Sequence, residues 1–208
     1  MHRSTKVPAG GVYAITDGPR PTLIDDVEQA LAGGIVMLQY RDKTNDHARR
    51  RAEASALRDI CRRRDVPLLI NDDVDLAAEI RADGVHLGED DAAIAEARAK
   101  LGSGAIIGVS CYDSIDRAPS CAALGADYLA FGSFFTSPTK PTARRAMPAL
   151  LGAARTFKLP LVAIGGITPD NAPALLNAGA DFIAVVSGIF SASDIKQAAQ
   201  RYVALFSK

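Results

Sequence analysis

Several short segments combine residue types that can hold an anion, a metal ion or a phosphate group. One is Leu38-Gln39-Tyr40-Arg41-Asp42-Lys43, where extended-chain alternation places Gln39, Arg41 and Lys43 on one side and Tyr40 and Asp42 on the other. An amide and two cations on one face make a cradle for an anion such as diphosphate. The alternative is a solvated loop carrying an ordinary Arg–Asp pair. Two acidic segments follow, Asn71-Asp72-Asp73 and Gly88-Glu89-Asp90-Asp91. If they end neighbouring strands, Asp72 and one of the later acids converge. Two carboxylates with substrate phosphate oxygens suit Mg²⁺, which takes few protein ligands and keeps its waters. Helix capping is the competing use, and Asp73 is expected to do only that.

The segment Gly132-Ser133-Phe134-Phe135-Thr136-Ser137-Pro138-Thr139-Lys140-Pro141 is long for a strand-to-helix connection, rich in hydroxyls, and carries one lysine. It reads as a lid able to bring Lys140 to an anion, or as a variable surface loop. Near the end of the chain, Gly165-Gly166 and Val186-Ser187-Gly188 close two further apolar runs. Glycines there let backbone N–H groups approach a ligand phosphate. Thr168-Pro169 reads as a helix start, so Thr168 is expected to be structural. His86, inside an apolar run, reads as a core histidine. Cys111, beside Ser110, reads as a small buried residue, since no histidine base is evident. The arginines of 49–64 alternate with Asp46, Glu53 and Asp59 and read as a solvated helix face.

These segments need elements to position them. Eight Val-, Ile- and Leu-rich runs are candidate strands: Val12–Thr16, Val36–Tyr40, Leu68–Asn71, Val85–Leu87, Ile106–Ser110, Tyr128–Phe131, Leu161–Ile164 and Phe182–Val186. Helix-like stretches such as Asn45–Arg64, Asp91–Lys100, Ser114–Leu124, Thr168–Asn177 and Asp194–Phe206 lie between them. Strands alternating with helices imply parallel pairing. The junctions AGGIVML, ADGVHL, GADYLAF and GADFIAV echo one another, and their markers Gly34, Asp83, Asp127 and Asp181 recur at intervals of about 50 residues. Each interval spans two strand–helix units, so about eight units of roughly 25 residues follow, and the expected fold is α/β, a single (β/α)8 TIM barrel. A doubly wound sheet is the alternative, but no GxGxxG turn follows the first strand. One domain is expected over 1–208, with residues 1–10 as a short extension. In a barrel, the loops after the strand C-termini carry the chemistry, with phosphate commonly held after strands 7 and 8.

Composition sets outer bounds. The 208 residues carry 24 Lys+Arg and 24 Asp+Glu, a formal net charge of zero, which argues against nucleic acid or an anionic membrane surface as partner. No apolar run approaches the ~20 residues of a membrane helix, and the start MHRSTKVPAGG lacks a secretion signal's apolar stretch. Cys61, Cys111 and Cys121 form no CxxC or His-containing metal spacing, which favours a reduced, cytoplasmic setting. A homo-oligomer is left open.

Taken in order, YAITD, LQYRDK, INDDVDLA, ADGVHLGEDD, IGVSCYDS, GADYLAFGSFFTSPTKP, VAIGGITPDN and GADFIAVVSGIF make the chain similar to the thiamine-phosphate synthases from about Tyr13 to Phe190. That resemblance implies an alkyl-group transfer. A 4-amino-5-hydroxymethyl-2-methylpyrimidine diphosphate joins a thiazole phosphate, plain or carboxylated, giving thiamine phosphate and diphosphate. It implies that Gln39, Arg41, Lys43, Asn71, Ser110 and Lys140 hold the pyrimidine diphosphate and that Asp72 and Asp91 ligate Mg²⁺. Ser137, Thr139, Gly166, Val186 and Ser187 would line the thiazole-phosphate site, and Arg41, Lys43, Ser110 and Lys140 would be the catalytic set. Loss of diphosphate would leave a pyrimidinylmethyl cation for the thiazole nitrogen to attack, so positioning and electrostatics would carry the rate.

The chain departs from the family pattern in places. Gly88-Glu89-Asp90-Asp91 stands where Gly-Gln-Glu-Asp is usual, adding negative charge beside the implied metal. Thr136-Ser137-Pro138-Thr139-Lys140 stands where Pro-Thr-x-Thr-Lys is usual. Ser133 replaces a usual proline, and Cys111-Tyr112 a usual pair of small residues or histidine. Two rival readings are a thiazole tautomerase on the same barrel and a phosphate-ligand-binding relative without turnover. The tautomerases usually have a histidine where Cys111 stands, and the second rival sits poorly with both Asp72 and Asp91.

Overall fold

The structure is a computed structural model and describes residues 7–88, 92–136 and 144–207. The apolar runs form eight parallel strands: β1 (Gly11–Ile15), β2 (Met37–Tyr40), β3 (Leu68–Asn71), β4 (Gly84–Leu87), β5 (Ile106–Tyr112), β6 (Tyr128–Phe131), β7 (Leu161–Ile164) and β8 (Phe182–Val185). Each pairs with its sequence neighbour, and β1 pairs with β8, so the sheet closes in chain order. Around it run α1 (Leu23–Ala32), α2 (His47–Arg63), α3 (Val74–Ile80), α4 (Ala92–Leu101), α5 (Ala118–Ala123), α6 (Ala149–Ala154), α7 (Ala172–Asn177), the one-turn α8 (Ser187–Phe190) and α9 (Ile195–Val203). This is the expected (β/α)8 barrel.

Strand alternation divides the core into two shells. Val12, Ala14, Leu38, Ile70, Val85, Ile107, Val109, Leu129, Leu161 and Ile183 point outward and pack with the helices. Tyr13, Ile15, Met37, Leu69, Ile106, Tyr128, Ala130, Val162, Phe182 and Ala184 fill the barrel's interior.

The junction echo has a structural cause. Just before β4, β6 and β8, a carboxylate accepts a backbone N–H of the preceding strand: Asp83 Oδ2 from Leu68 (2.9 Å), Asp127 Oδ2 from Ile107 (2.7 Å) and Asp181 Oδ2 from Leu161 (2.8 Å). The same residues donate their own N–H groups back to Leu68, Ile107 and Leu161. Arg98 reinforces Asp127 at 2.7 Å, and Arg155 reinforces Asp181 at 3.0 Å. The fourth marker is Gly34, whose φ of +97° is a left-handed turn rather than a clamp.

Element boundaries differ from expectation where side chains intervene. Thr16 lies beyond β1, because its Oγ1 accepts the Arg41 N–H (2.8 Å) and bridges to the Arg41 carbonyl (3.2 Å). The fifth strand runs two residues past Ser110, with a register shift against β6 between Ser110 and Tyr112. Helix α5 starts at Ala118 rather than Ser114, with a proline in its first turn. Helix α7 starts at Ala172, because Thr168 and Asn171 exchange side-chain-to-backbone bonds in a turn before it. Asp73 caps α3 as expected, accepting the Leu76 N–H at 2.9 Å. The α2 arginines do more than face solvent: Arg50 pairs with Asp73 at 2.8 Å and Arg51 with Glu79 at 2.8 Å, tying α2 to α3.

Replacing Asp127 by alanine leaves the Ile107 N–H without its carboxylate acceptor and Arg98 with only the Gly102, Ala105 and Gly125 carbonyls. It is expected to lower unfolding free energy by roughly 1–3 kcal/mol in urea titration, with catalytic constants little changed because the clamp sits away from the strand C-termini.

Candidate active site

The C-terminal strand ends surround a cavity of about 610 Å³. Inward alternation builds its wall in two unlike halves. Gln39 of β2, Asn71 of β3, His86 of β4 and Ser110 of β5 make one side polar. Ala130 of β6, Val162 and Ile164 of β7, Ala184 of β8 and Ile15 of β1 make the other side apolar. Arg41, Lys43 and Asp72 rim the polar half, while Gly165, Gly166, Val186 and Ser187 rim the apolar half.

The residues after β2 are held from behind. Asp42 points away from the cavity, its side chain fully buried against Arg49 at 2.8 Å, and its Oδ1 accepts the Thr44 N–H at 2.8 Å. Burial pushes the Asp42 carboxyl up, but the bonds from Thr44 and Arg49 outweigh it and hold the group below the usual carboxylate range. Arg49 also meets Glu53 at 3.2 Å, and Tyr40 donates to Glu53 at 2.6 Å. Thus the Arg–Asp pair expected as the ordinary alternative exists, but its arginine is Arg49. Arg41 and Lys43 face the cavity beside it.

Asp72 adopts a left-handed backbone at φ +61°. Its N–H donates to the His86 carbonyl at 2.9 Å, locking the end of β3 to β4. Its Oδ2 accepts from Asn71 Nδ2 at 2.6 Å. Asp91 lies outside the described residues, as do Glu89, Asp90, Ser137, Thr139 and Lys140. Among the described residues no three His, Cys, Asp or Glu side chains cluster as a metal cage. A Mg²⁺ ion does not need one: a single cavity-facing carboxylate with substrate oxygens and water fits its preferences.

On the apolar side, the glycines do more than expose backbone to a ligand. A Cβ on Gly166 would fall 2.3 Å from the Thr136 carbonyl oxygen, and one on Gly165 would fall 2.0 Å from Ser133 Oγ. The loop after β6 lies directly on them, with Phe134 and Phe135 N–H groups donating to the Ile164 and Gly165 carbonyls at 3.2 and 2.9 Å. The C-terminal end of α8 is stapled by Arg20, which donates to the Phe190 carbonyl at 2.7 Å and pairs with Asp26 at 3.0 Å.

The structure therefore brings Gln39, Arg41, Lys43, Asn71, Asp72, Ser110, Gly166, Val186 and Ser187 to one cavity. Sequence reasoning passed over His86. It does sit inside the barrel, but its ring lines the cavity, with Nδ1 2.8 Å from the Tyr128 hydroxyl and Nε2 2.9 Å from Ser110 Oγ. Register was the signal that could have found it: His86 pairs with Asn71 on β3 and shares its inward face. Burial pulls the imidazole down to about 4, with Asp72 opposing. Cys111 is buried in the outer shell, and burial with Asp83 nearby pushes the Cys61 thiol up to about 12.

A (β/α)8 barrel whose C-terminal mouth joins a cationic, polar wall to glycine-built turns has the architecture of barrel enzymes that handle phosphorylated substrates. The chain belongs to the thiamine monophosphate synthase family, whose model matches residues 12–189. It is 54% identical over 201 residues to the thiamine-phosphate synthase of Thiobacillus denitrificans, covering 95% of each chain. It is 55% identical over 201 residues to that of Xanthomonas campestris, covering 96% of this chain and 97% of the relative. The solved structure of thiamine phosphate pyrophosphorylase from Pyrococcus furiosus superposes with a TM-score of 0.83 at 33% identity, covering 97% of this chain and 95% of that one. Among the described residues no helix is long and apolar enough to cross a membrane.

Because the imidazole is pulled down on folding, the unfolded chain takes up the His86 proton first as pH falls. Stability is expected to be full above the unfolded value near 6.5 and to decline as pH drops toward about 4, by roughly 1–3 kcal/mol. Comparing denaturation of the wild type with His86→Gln at pH 7 and pH 5 checks this; an equal acid loss in both proteins would assign it elsewhere.

Proposed function

We propose that this chain joins 4-amino-5-hydroxymethyl-2-methylpyrimidine diphosphate to a thiazole phosphate, releasing diphosphate and forming thiamine phosphate. The observation that carries the reading is the divided wall: one cavity offers a polar half under two cations and an apolar half under glycine-rich turns. A polar aminopyrimidine diphosphate matches the first, and a thiazole with a phosphorylated side chain matches the second. The carboxylated thiazole forms the same C–N bond and then loses its carboxylate as CO₂, the electron pair of the broken C–C bond remaining on the thiazolium carbon, which takes a proton from water.

In this reading Gln39, Asn71 and Ser110 hold the pyrimidine, while Arg41 and Lys43, with Lys140 from the loop after β6, bind the diphosphate. The bond from the pyrimidinylmethyl carbon to the diphosphate oxygen breaks, and its electron pair leaves with the diphosphate. Arg41 and Lys43 neutralise charge growing on that oxygen, in a cavity where fixed cations act more strongly than in water. The electron-rich aminopyrimidine ring stabilises the cation left behind. The lone pair of the thiazole nitrogen then forms the new C–N bond, with Gly166, Val186 and Ser187, and Ser137 and Thr139, retaining the thiazole phosphate. No protein group needs to move a proton, which agrees with a neutral His86 and buried cysteines. Asp72, with Asp91, would hold Mg²⁺, which supplies further positive charge at the diphosphate. A cytoplasmic setting belongs to the same proposal, consistent with three buried thiols that form no disulfide.

The thiazole tautomerase reading is disfavoured because the residue after Ser110 is a cysteine rather than a histidine, while Gln39, Arg41 and Asn71 all line the cavity. Incubating the protein with both substrates and Mg²⁺ is expected to yield thiamine phosphate and diphosphate in equal amounts, and chelation of the metal to stop it. No product under any metal or thiazole condition would overturn the proposal. Lys43→Ala and Asp72→Asn, the second chosen because asparagine tolerates the left-handed backbone at this position, are each expected to lower kcat by about 10²-fold or more with little change in melting temperature. Near-normal turnover in both would remove the leaving-group and metal assignments.

A further inference from the structure

Five side chains from five strands form one hydrogen-bond chain inside the barrel, with Gln39 and Ser110 at its two ends opening onto the cavity. Gln39 Nε2 donates to the Tyr13 hydroxyl at 2.6 Å, and the Tyr13 and Tyr128 hydroxyls lie 3.0 Å apart. The Tyr128 hydroxyl is 2.8 Å from His86 Nδ1, and His86 Nε2 is 2.9 Å from Ser110 Oγ. Both tyrosines are buried, at 1% and 0% exposure, so an unused phenol hydrogen there would be costly. Gly108 makes the arrangement sterically feasible: a Cβ at that position would sit 1.8 Å from the Tyr128 ring.

Each phenol has one hydrogen, and a neutral imidazole has one N–H and one acceptor nitrogen. A phenol that accepts from one neighbour must therefore give its hydrogen to the next, so the first bond sets the direction of all the others. With Gln39 Nε2 donating to Tyr13, Tyr13 donates to Tyr128 and Tyr128 donates to His86 Nδ1. The imidazole then carries its proton on Nε2 and donates to Ser110. That leaves Ser110 with a free hydroxyl hydrogen and Gln39 with Oε1 for a ligand. Running the chain backwards exchanges both ends. In either direction Ser110 and Gln39 offer opposite kinds of partner.

We propose that Tyr13, Tyr128 and His86 are positioning residues that lock Ser110 as a donor and the Gln39 carbonyl as an acceptor, so that the cavity selects a ring bearing both an acceptor nitrogen and an exocyclic amino group. The selection of an aminopyrimidine rests on the substrate reading above; the direction of the chain does not. A ring nitrogen takes the Ser110 hydrogen, and the amino group donates to Gln39. An analogue lacking that amino group leaves the Gln39 carbonyl unpaired, and sites built around such a bond discriminate strongly.

The tautomer of His86 in the full, ligand-free protein, read by ¹⁵N NMR at alkaline pH, tests the direction. The wild type is expected to carry the proton on Nε2. Gln39→Glu, whose carboxylate only accepts, is expected to move it to Nδ1, although residue 39 does not touch His86. Adding Tyr128→Phe is expected to cancel that response. Tyr128→Phe alone, which serves if Gln39→Glu does not fold, should give a mixture of tautomers. An Nδ1 proton in the wild type, or a tautomer indifferent to these substitutions, overturns the chain. For selection, kcat/KM is compared for the aminopyrimidine diphosphate and its deaminated analogue. The wild type should favour the amino compound by about 10⁴-fold or more, because the amino group both pairs with Gln39 and stabilises the cation, and Tyr128→Phe, which leaves the ring's electronics alone, should cut that preference by about tenfold, mainly through KM. Equal preference in the two proteins overturns the selection. Failure of both compounds to react, with tautomers as expected, instead overturns the substrate reading and the selection with it, leaving the chain's direction established.

Discussion

A closed parallel sheet gives every strand residue one of two fates, inward to a narrow interior or outward to the helices, and the rest of this structure follows from that constraint. An inward polar group must find a partner inside the barrel or open onto a cavity. Tyr13, Met37, Leu69, Ile106, Tyr128, Val162 and Phe182 close the lower interior. Above them, Gln39, Asn71, His86 and Ser110 are tolerated because they face the cavity, with Gln39, His86 and Ser110 bonded to one another or to the tyrosines beneath and Asn71 bonded to Asp72. Polarity in the site is thus a matter of depth and of which strand contributes.

The same alternation couples the two faces of the segment after β2. Tyr40 and Asp42 turn outward and bind Glu53 and Arg49 of α2, which fixes the backbone on which Arg41 and Lys43 turn inward. The outer ion cluster lies outside the cavity, yet it determines where two cations stand. On the far side, Arg20 plays the corresponding part for α8 by gripping the Phe190 carbonyl.

Much of this was legible in the sequence. Eight apolar runs and a recurring Asp junction pointed to the barrel, because strand-to-helix alternation leaves few other topologies. The ends of those runs pointed to most of the cavity, since a barrel's chemistry lies there. Less legible were features that depend on register across strands. His86 read as core because its neighbours are apolar, and only its pairing with Asn71 shows which way it faces. Arg49 read as one charge among many on a solvated helix, because its partner Asp42 is close in space through a turn whose geometry the residue pattern does not encode. Gly165 and Gly166 read as ligand-approach glycines, whereas part of their need is the loop after β6, which lies on them at van der Waals range. Helix starts failed at Ser114 and Thr168 for a related reason: side chains of both form local turns before the helix begins.

The carboxylate clamps of Asp83, Asp127 and Asp181 bear on how such a chain assembles. Each closes a segment of only 15 or 20 residues, so β3–β4, β5–β6 and β7–β8 can each form as a short local unit at small loop-closure entropy. Gly34 provides no such bond between β1 and β2. The seam between β1 and β8 joins opposite ends of the chain and carries the largest loop-closure entropy of any strand pair. Loop-closure entropy thus favours local pairs before the closing seam, a preference that three carboxylates reinforce at the end of the molecule where no chemistry occurs.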